Sequence, residues 1–148
     1  MIGELLTAIK SKLNGTALWN DVEGRIFWKE APAGTLIYPY VVYSLISDAA
    51  SWTFTESFED IPFQFSLFSA STDEAEISKM YDDLRAAFST TVNGKQVDEC
   101  QLMVTGATML WMRRENLVAM TEDIAQLDGS SSSVTHWAVD YGILQEAA

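Results

Sequence analysis

Cationic and metal-binding residues are scarce in this chain. Its 148 residues hold one cysteine, one histidine and nine lysines and arginines, against 21 aspartates and glutamates. A lone Cys100 forms no internal disulfide, and with the single His136 it cannot complete a structural zinc site. Such a chain suits a reducing cytoplasm. Only Arg113 and Arg114 are adjacent cations, so no basic patch is visible of the kind that displaces counterions from nucleic acid. The net charge of −12 instead favours solubility and repels polyanions. No stretch approaches the ~18 apolar residues of a membrane helix. The start, Met1-Ile2-Gly3-Glu4-Leu5, lacks the basic segment and long apolar core of a signal peptide. Glycine-rich phosphate loops, a nucleophile elbow and a paired-histidine metal motif are all missing. No cofactor is expected.

What is present is a core. Hydrophobic residues make up 48% of the chain, with five Trp, seven Phe and five Tyr. This length and composition predict one domain over residues 1–148, able to bury roughly 68–70% of its unfolded surface.

Ile2, Leu5, Leu6, Ile9 and Leu13 fall at helical spacing, and Asn14-Gly15 supplies the stop. A short turn is expected around Leu18 and Trp19. Gly24 to Trp28 reads as a short strand and Ala31-Pro32-Ala33-Gly34 as a loop. Tyr40 to Ser47 is a β-branched and aromatic strand opened by Pro39, and Asp48 to Ser51 reads as a turn. Trp52, Phe54, Glu56 and Phe58 alternate with Thr53, Thr55 and Ser57, the pattern of a second strand. In Ile61 to Ser69, Phe63, Phe65 and Leu67 alternate with Gln64 and Ser66, the period of a half-buried, central strand.

Ser71 and Glu74 have capping-box spacing. They precede a helical stripe of Ile77, Met80, Tyr81, Leu84, Ala87 and Phe88. Asn93-Gly94 is a strong hairpin signal. Gln101 to Arg113 is strand-like, with Gly106 a candidate bulge. Residues 114 to 127 fit either state, since Leu117, Met120, Ile124 and Leu127 also have helical spacing. Asp128-Gly129 and Ser130 to Ser133 read as a flexible loop. Thr135, Trp137, Val139, Tyr141 and Ile143 alternate as a closing strand. Helix, strands, helix, strands is the order of an α+β fold, a mostly antiparallel sheet with two main helices packed on one face. Its expected core includes Phe63, Phe65, Leu67, Leu84, Phe88, Trp137 and Val139.

Chemistry is thin. Cys100, His136 and Asp140 form a thiol triad on paper, against the plainer reading of a strand-end thiol and two polar-face residues. Glu56, Glu59 and Asp60 are an acidic cluster without the regular spacing and turn glycine of a calcium loop. Trp52, Phe54 and Phe58 read equally as one face of a core strand or as a hairpin burying aromatics against a neighbouring subunit. Ser130, Ser131 and Ser132 read as a mobile tip, or as one that orders on a partner.

Gly24-Arg25-Ile26-Phe27, Ala31-Pro32, Pro39-Tyr40-Val41-Val42-Tyr43, Ile46-Ser47, Glu59-Asp60-Ile61 and Gln64-Phe65-Ser66-Leu67-Phe68 come in an order and spacing that resembles the tail-terminator (tail-completion) proteins of long-tailed bacteriophages. The helix with Ala75, Leu84 and Phe88 and the strand Val139-Asp140-Tyr141 fit the same outline. The stretch from Met109 to Leu127 matches less well. The resemblance implies a non-enzymatic virion protein, assembled in the host cytoplasm and located at the head-proximal end of the tail. There it would form a hexameric ring that caps the tail tube protein, stops polymerisation and offers a surface to a head-completion or connector protein. DNA would pass through the lumen without specific binding, and no membrane is involved. Trp52, Phe54, Phe58, Ser130, Ser131 and Ser132 are the candidate subunit-interface residues. The alternatives are another head–tail connector or neck protein, a small cysteine-dependent hydrolase using Cys100 and His136, or a monomeric cytosolic binding module.

Overall fold

The computed structural model describes residues 2–34, 36–46, 49–52, 57–102, 104, 107–125 and 131–147. Helix α1, Ile2–Leu13, buries Leu5, Ile9 and Leu13, and Gly15 follows it at φ 79°. Helix α2, Ala17–Asp21, is capped by Thr16, whose hydroxyl accepts the Trp19 N–H at 3.4 Å. Gly24 has φ 77°, and a Cβ there would lie 3.1 Å from the Trp19 ring. Both the backbone angle and the close approach require glycine.

Strand β1, Ile26–Trp28, runs parallel to β2, Tyr40–Leu45. Strand β3 is Ala49–Trp52 and β4 is Ser57–Ser69. After helix α3, Ala75–Ala87, come a hairpin of β5, Thr90–Val92, and β6, Lys95–Val97, then β7, Glu99–Cys100. Asn93 and Gly94 join β5 to β6 with φ 52° and 76°, the two positive angles of a type I′ turn. Two long strands follow, β8, Ala107–Ala125, and β9, Ser131–Ala147. The main sheet has the order β1-β2-β4-β9-β8-β7, with β3 also paired to β4. All its pairs except β1–β2 are antiparallel. The content is therefore mixed α and β with a mostly antiparallel sheet, and β4 is central as its alternation predicts.

Leu5, Ile9 and Leu13 of α1, Leu18 of α2 and Ile77, Met80 and Leu84 of α3 form one cluster with Val41, Tyr43, Ile61, Phe63, Phe65, Leu67, Val139, Tyr141 and Ile143. Six of the seven expected core residues are fully buried, while Trp137 is half-buried and packs against the cluster.

Several expectations are corrected. The expected turn at Asp48 to Ser51 carries β3 instead. β2 and β3 lie along the same side of β4 with a one-residue slip between Leu45↔Phe63 and Ala49↔Asp60. The expected single strand through Trp52 and Phe58 is divided between two: Trp52 ends β3 and is the antiparallel partner of Ser57, which begins β4. The capping box is not formed: α3 starts at Ala75 without a side-chain cap from Glu74. Asp73 Oδ1 instead accepts the Ala75 N–H at 3.0 Å, and the Ser69 hydroxyl donates to Glu76 Oε1 at 2.6 Å. Of residues 114 to 127, which fit either state as sequence, 114 to 125 are strand, since β8 pairs with β9 through Ala125↔Ser131, and 126 and 127 lie outside the described residues. The same pairing places Ser131 to Ser133 in a strand rather than a loop.

Candidate functional site

The catalytic candidates are not brought together. Cys100 pairs with Met112, and Met112 with Ile143, which puts the thiol on the buried side of the sheet at its β7 edge. His136 lies seven residues further back along β9, about 24 Å in extended chain, and stacks on Phe68 on the opposite side, with centroids 4.2 Å apart. Asp140 accepts a hydrogen bond from Gln64 Nε2 at 2.9 Å. Burial pushes the Cys100 pKa up, with Lys12 opposing, the reverse of an activated thiolate. Of the acidic cluster, Glu59 and Asp60 are consecutive in β4 and Glu56 lies outside the described residues. Among the described residues no group of three His, Cys, Asp or Glu is placed to hold a metal ion, and no helix is long and apolar enough to cross a membrane.

The interface candidates fall into two sets at opposite ends of the sheet. Trp52 and Phe58 come together at the β3–β4 hairpin, where Trp52 pairs with Ser57 and Ser51 with Phe58. Phe54 lies outside the described residues, as does Ser130. Ser131 and Ser132 pair with Ala125 and Ile124 at the far end of the β8–β9 hairpin. The level of Phe58 on β9 is Glu146, roughly 50 Å along the strand from Ser131. One contact point cannot contain both sets. β9 also outruns β4, which it leaves at Thr135↔Ser69, so Ser131 to Val134 pair with β8 alone.

Two arrangements have no counterpart in the sequence reading. The first is a row of rings in contact on the side of the sheet facing away from the buried Phe63 and Phe65, stacked from Tyr40 to His136. Tyr38 lies 5.2 Å from Tyr40, Tyr40 lies 4.6 Å from Phe68 at an interplanar angle of 14°, and Phe68 continues to His136. His136 Nδ1 meets Glu122 Oε1 at 3.1 Å. Burial, then Tyr38 and Glu122, push the Tyr40 pKa up to about 12, so its hydroxyl stays neutral. The out-of-phase aromatics in β2 and β4 were the available signal. The second is Asp98, whose carboxylate accepts from Arg85 Nε at 3.1 Å and Arg114 Nη2 at 3.0 Å, tying α3 to β8. Burial raises the Asp98 pKa, but the hydrogen bonds from the two arginines outweigh it and the net shift is downward.

The outer side of β8 is bare over most of its length. β7 reaches only Arg113, and Arg114 N–H bonds Asp98 O at 3.0 Å. From Glu115 to Ala125 no strand lies on that side among the described residues. Val118 and Met120 there are 43% and 38% exposed. A cleft of about 280 Å³ opens beside them, lined by Glu74, Ala119, Met120, Thr121, Thr135 and Trp137. That volume is below the usual range of small-molecule sites.

No family model matches the sequence, and no curated protein matches it. Sixteen chains of solved structures match the fold. One belongs to a structure described as the virion of a native gene transfer agent particle. It superposes with a TM-score of 0.70 over 99% of this chain and 97% of that chain, at 15% sequence identity. At that identity the likeness is one of fold.

Proposed function

We propose that this chain is a structural, non-enzymatic protein of a phage-like virion, and specifically a tail terminator. The observation that carries this reading is the near full-length fold likeness to a chain of a gene transfer agent virion. The order and spacing of the motifs from Gly24 to Phe68 narrow it to the terminator role. In this reading residues 1–148 are one domain, with α1 and α3 covering one face of the sheet. Six copies form a ring at the head-proximal end of the tail. The ring caps the tube protein, receives the head-completion protein and lets DNA through. A net charge of −12 per copy suits a channel to which DNA must not adhere. A neck or connector protein of the same fold is the second reading, favoured by the weaker match of the Met109 to Leu127 stretch to terminators. The separation of Cys100 from His136 removes the support for the hydrolase.

The test is sedimentation at several salt and protein concentrations, paired with electron microscopy of purified tails. Rings should strengthen with salt, which screens like charges beyond about 8–10 Å. A strict monomer that is also missing from the head-proximal tail end would sink the assignment. Replacing Trp52 and Phe54 together with alanine should weaken the ring more than the fold; rings unaffected by the pair would remove only those two residues from the interface.

Cys100→Ala and His136→Ala should leave tail assembly intact, because the two residues lie on opposite sides of the sheet and cannot act together. A complementation assay that fails with either variant, while circular dichroism shows it folded, would restore the enzyme reading.

A further inference from the structure

We propose that the bare edge of β8 receives strand β3 of a second copy of this chain, so that the sheet continues from protomer to protomer. This rests on the ring reading and names the surface that makes the ring.

A free strand edge presents outward N–H and C=O groups that template pairing with another extended chain. Soluble proteins blunt such edges with charged side chains, lysine above all, with proline, with a bulge or with a covering element. Glu115 to Ala125 contains neither lysine nor proline, and no strand covers it among the described residues. The bulge residue, Glu115, is the first of the free run and lies where the cover by β7 ends. Between that bulge and Glu122 the edge runs uncharged from Asn116 to Thr121 and apolar from Leu117 to Met120.

The occupant follows from charge and from topology. The edge carries Glu115, Glu122 and Asp123 and no cation. Two β8 edges paired antiparallel about Ala119 would set Glu115 opposite Asp123, and like charges directly opposite are destabilising. β3 avoids this: Ala49-Ala50-Ser51-Trp52 is uncharged and small up to its last residue. β3 is also an edge, paired among the described residues to β4 alone. Each copy therefore offers one donor edge and one acceptor edge on opposite borders of the sheet. Such a head-to-tail contact repeats, and it closes into a ring if the rotation allows. The cleft floored by Trp137 beside Ala119 gives an incoming side chain a place to bury, and a tryptophan is the residue type that interfaces most often anchor in such a place.

Cysteine cross-linking in a Cys100→Ser background tests the pairing. Ser51→Cys is combined in turn with Ala119→Cys, Met120→Cys or Thr121→Cys, which samples both faces of β8. After mild copper-phenanthroline oxidation, at least one combination should give a covalent ladder up to the closed oligomer, while each single variant stays uncross-linked. A covalent dimer from Ala119→Cys alone would mean two-fold pairing of β8 and overturn the proposal. Rings that sediment normally but never cross-link would overturn it while leaving the ring reading standing. Absence of any oligomer, in solution and on tails, would end both. A second variant, Val118→Lys with Met120→Lys, alters only exposed positions. It should weaken association at least tenfold with an unchanged thermal midpoint of the monomer; unchanged association would count against the edge.

Discussion

Phe65→Ala should lower the unfolding free energy by about 3–5 kcal/mol. Phe65 is fully buried in the central strand, and four rings surround it. Phe88 of the helix side lies at 5.3 Å, Phe63 at 5.4 Å, Tyr141 edge-on at 5.5 Å and Tyr43 at 6.5 Å. Those neighbours come from β2, β4, β9 and the end of α3, so the void cannot be closed by moving one element. The substitution removes both the transfer free energy of the ring and the contacts of everything around it. In a chain of this size the thermal midpoint should fall by roughly 6–20 °C. Urea denaturation with an unchanged slope checks it, and a loss under ~1 kcal/mol would place the ring outside the centre of the core.

The second large effect is expected at Asp98. Its side chain is 19% exposed and holds Arg85 and Arg114 at once. Asp98→Ala leaves two half-buried guanidiniums without their acceptor, at a cost of about 1–3 kcal/mol after allowance for solvent screening. The pH dependence has a definite sign. The folded carboxyl titrates below its ordinary value, so its contribution is complete above the unfolded pKa of about 4 and is lost as pH falls through the folded pKa. The gap in stability between the wild type and Asp98→Asn should thus be widest at neutral pH and narrow in acid. A gap that stays constant from pH 7 to pH 3 would mean that the ion pairs contribute nothing and only the shape of the side chain matters.

Elements whose signal is local were readable from residues alone. The α1 stripe, the Asn93-Gly94 turn and the alternation of β4 and β9 each state one period over a short span. β8 does not, for physical reasons. Its register slips between Met109 and Trp111 and again between Arg114 and Asn116, and each bulge inverts the alternation. Beyond Arg114 no strand lies on its outer border among the described residues, so little burial selects its side chains there, and Leu117 and Met120 happen to sit three apart. Only pairing with β9 decides the matter, and pairing is not written in β8. The β3–β4 reversal was hidden by the opposite accident. Trp52 and Ser57 are antiparallel partners, yet Trp52, Phe54, Glu56 and Phe58 keep one even spacing across the two strands. The candidate interface suffered in turn: Trp52 and Phe58 were legible as aromatics of either a core strand or a subunit contact. That the serines belong to the other end of the sheet required the register of β9.

The central pairing of β4 with β9 also bears on how the chain is made. Gln64 and Asp140, bonded across it, are 76 residues apart in sequence. At about 5–20 residues per second, β9 leaves the ribosome roughly 4–15 s after β4. For that interval Phe63, Phe65 and Leu67 have β2 and the helices but no strand on their other side. A nascent chain in that state displays an open apolar border to every neighbouring polysome, and a chain stopped anywhere before β9 displays it permanently. Ribosome-stalled chains ending before residue 131 should therefore stay protease-sensitive and bind chaperones, and resistance should arrive in one step once β9 has cleared the exit tunnel.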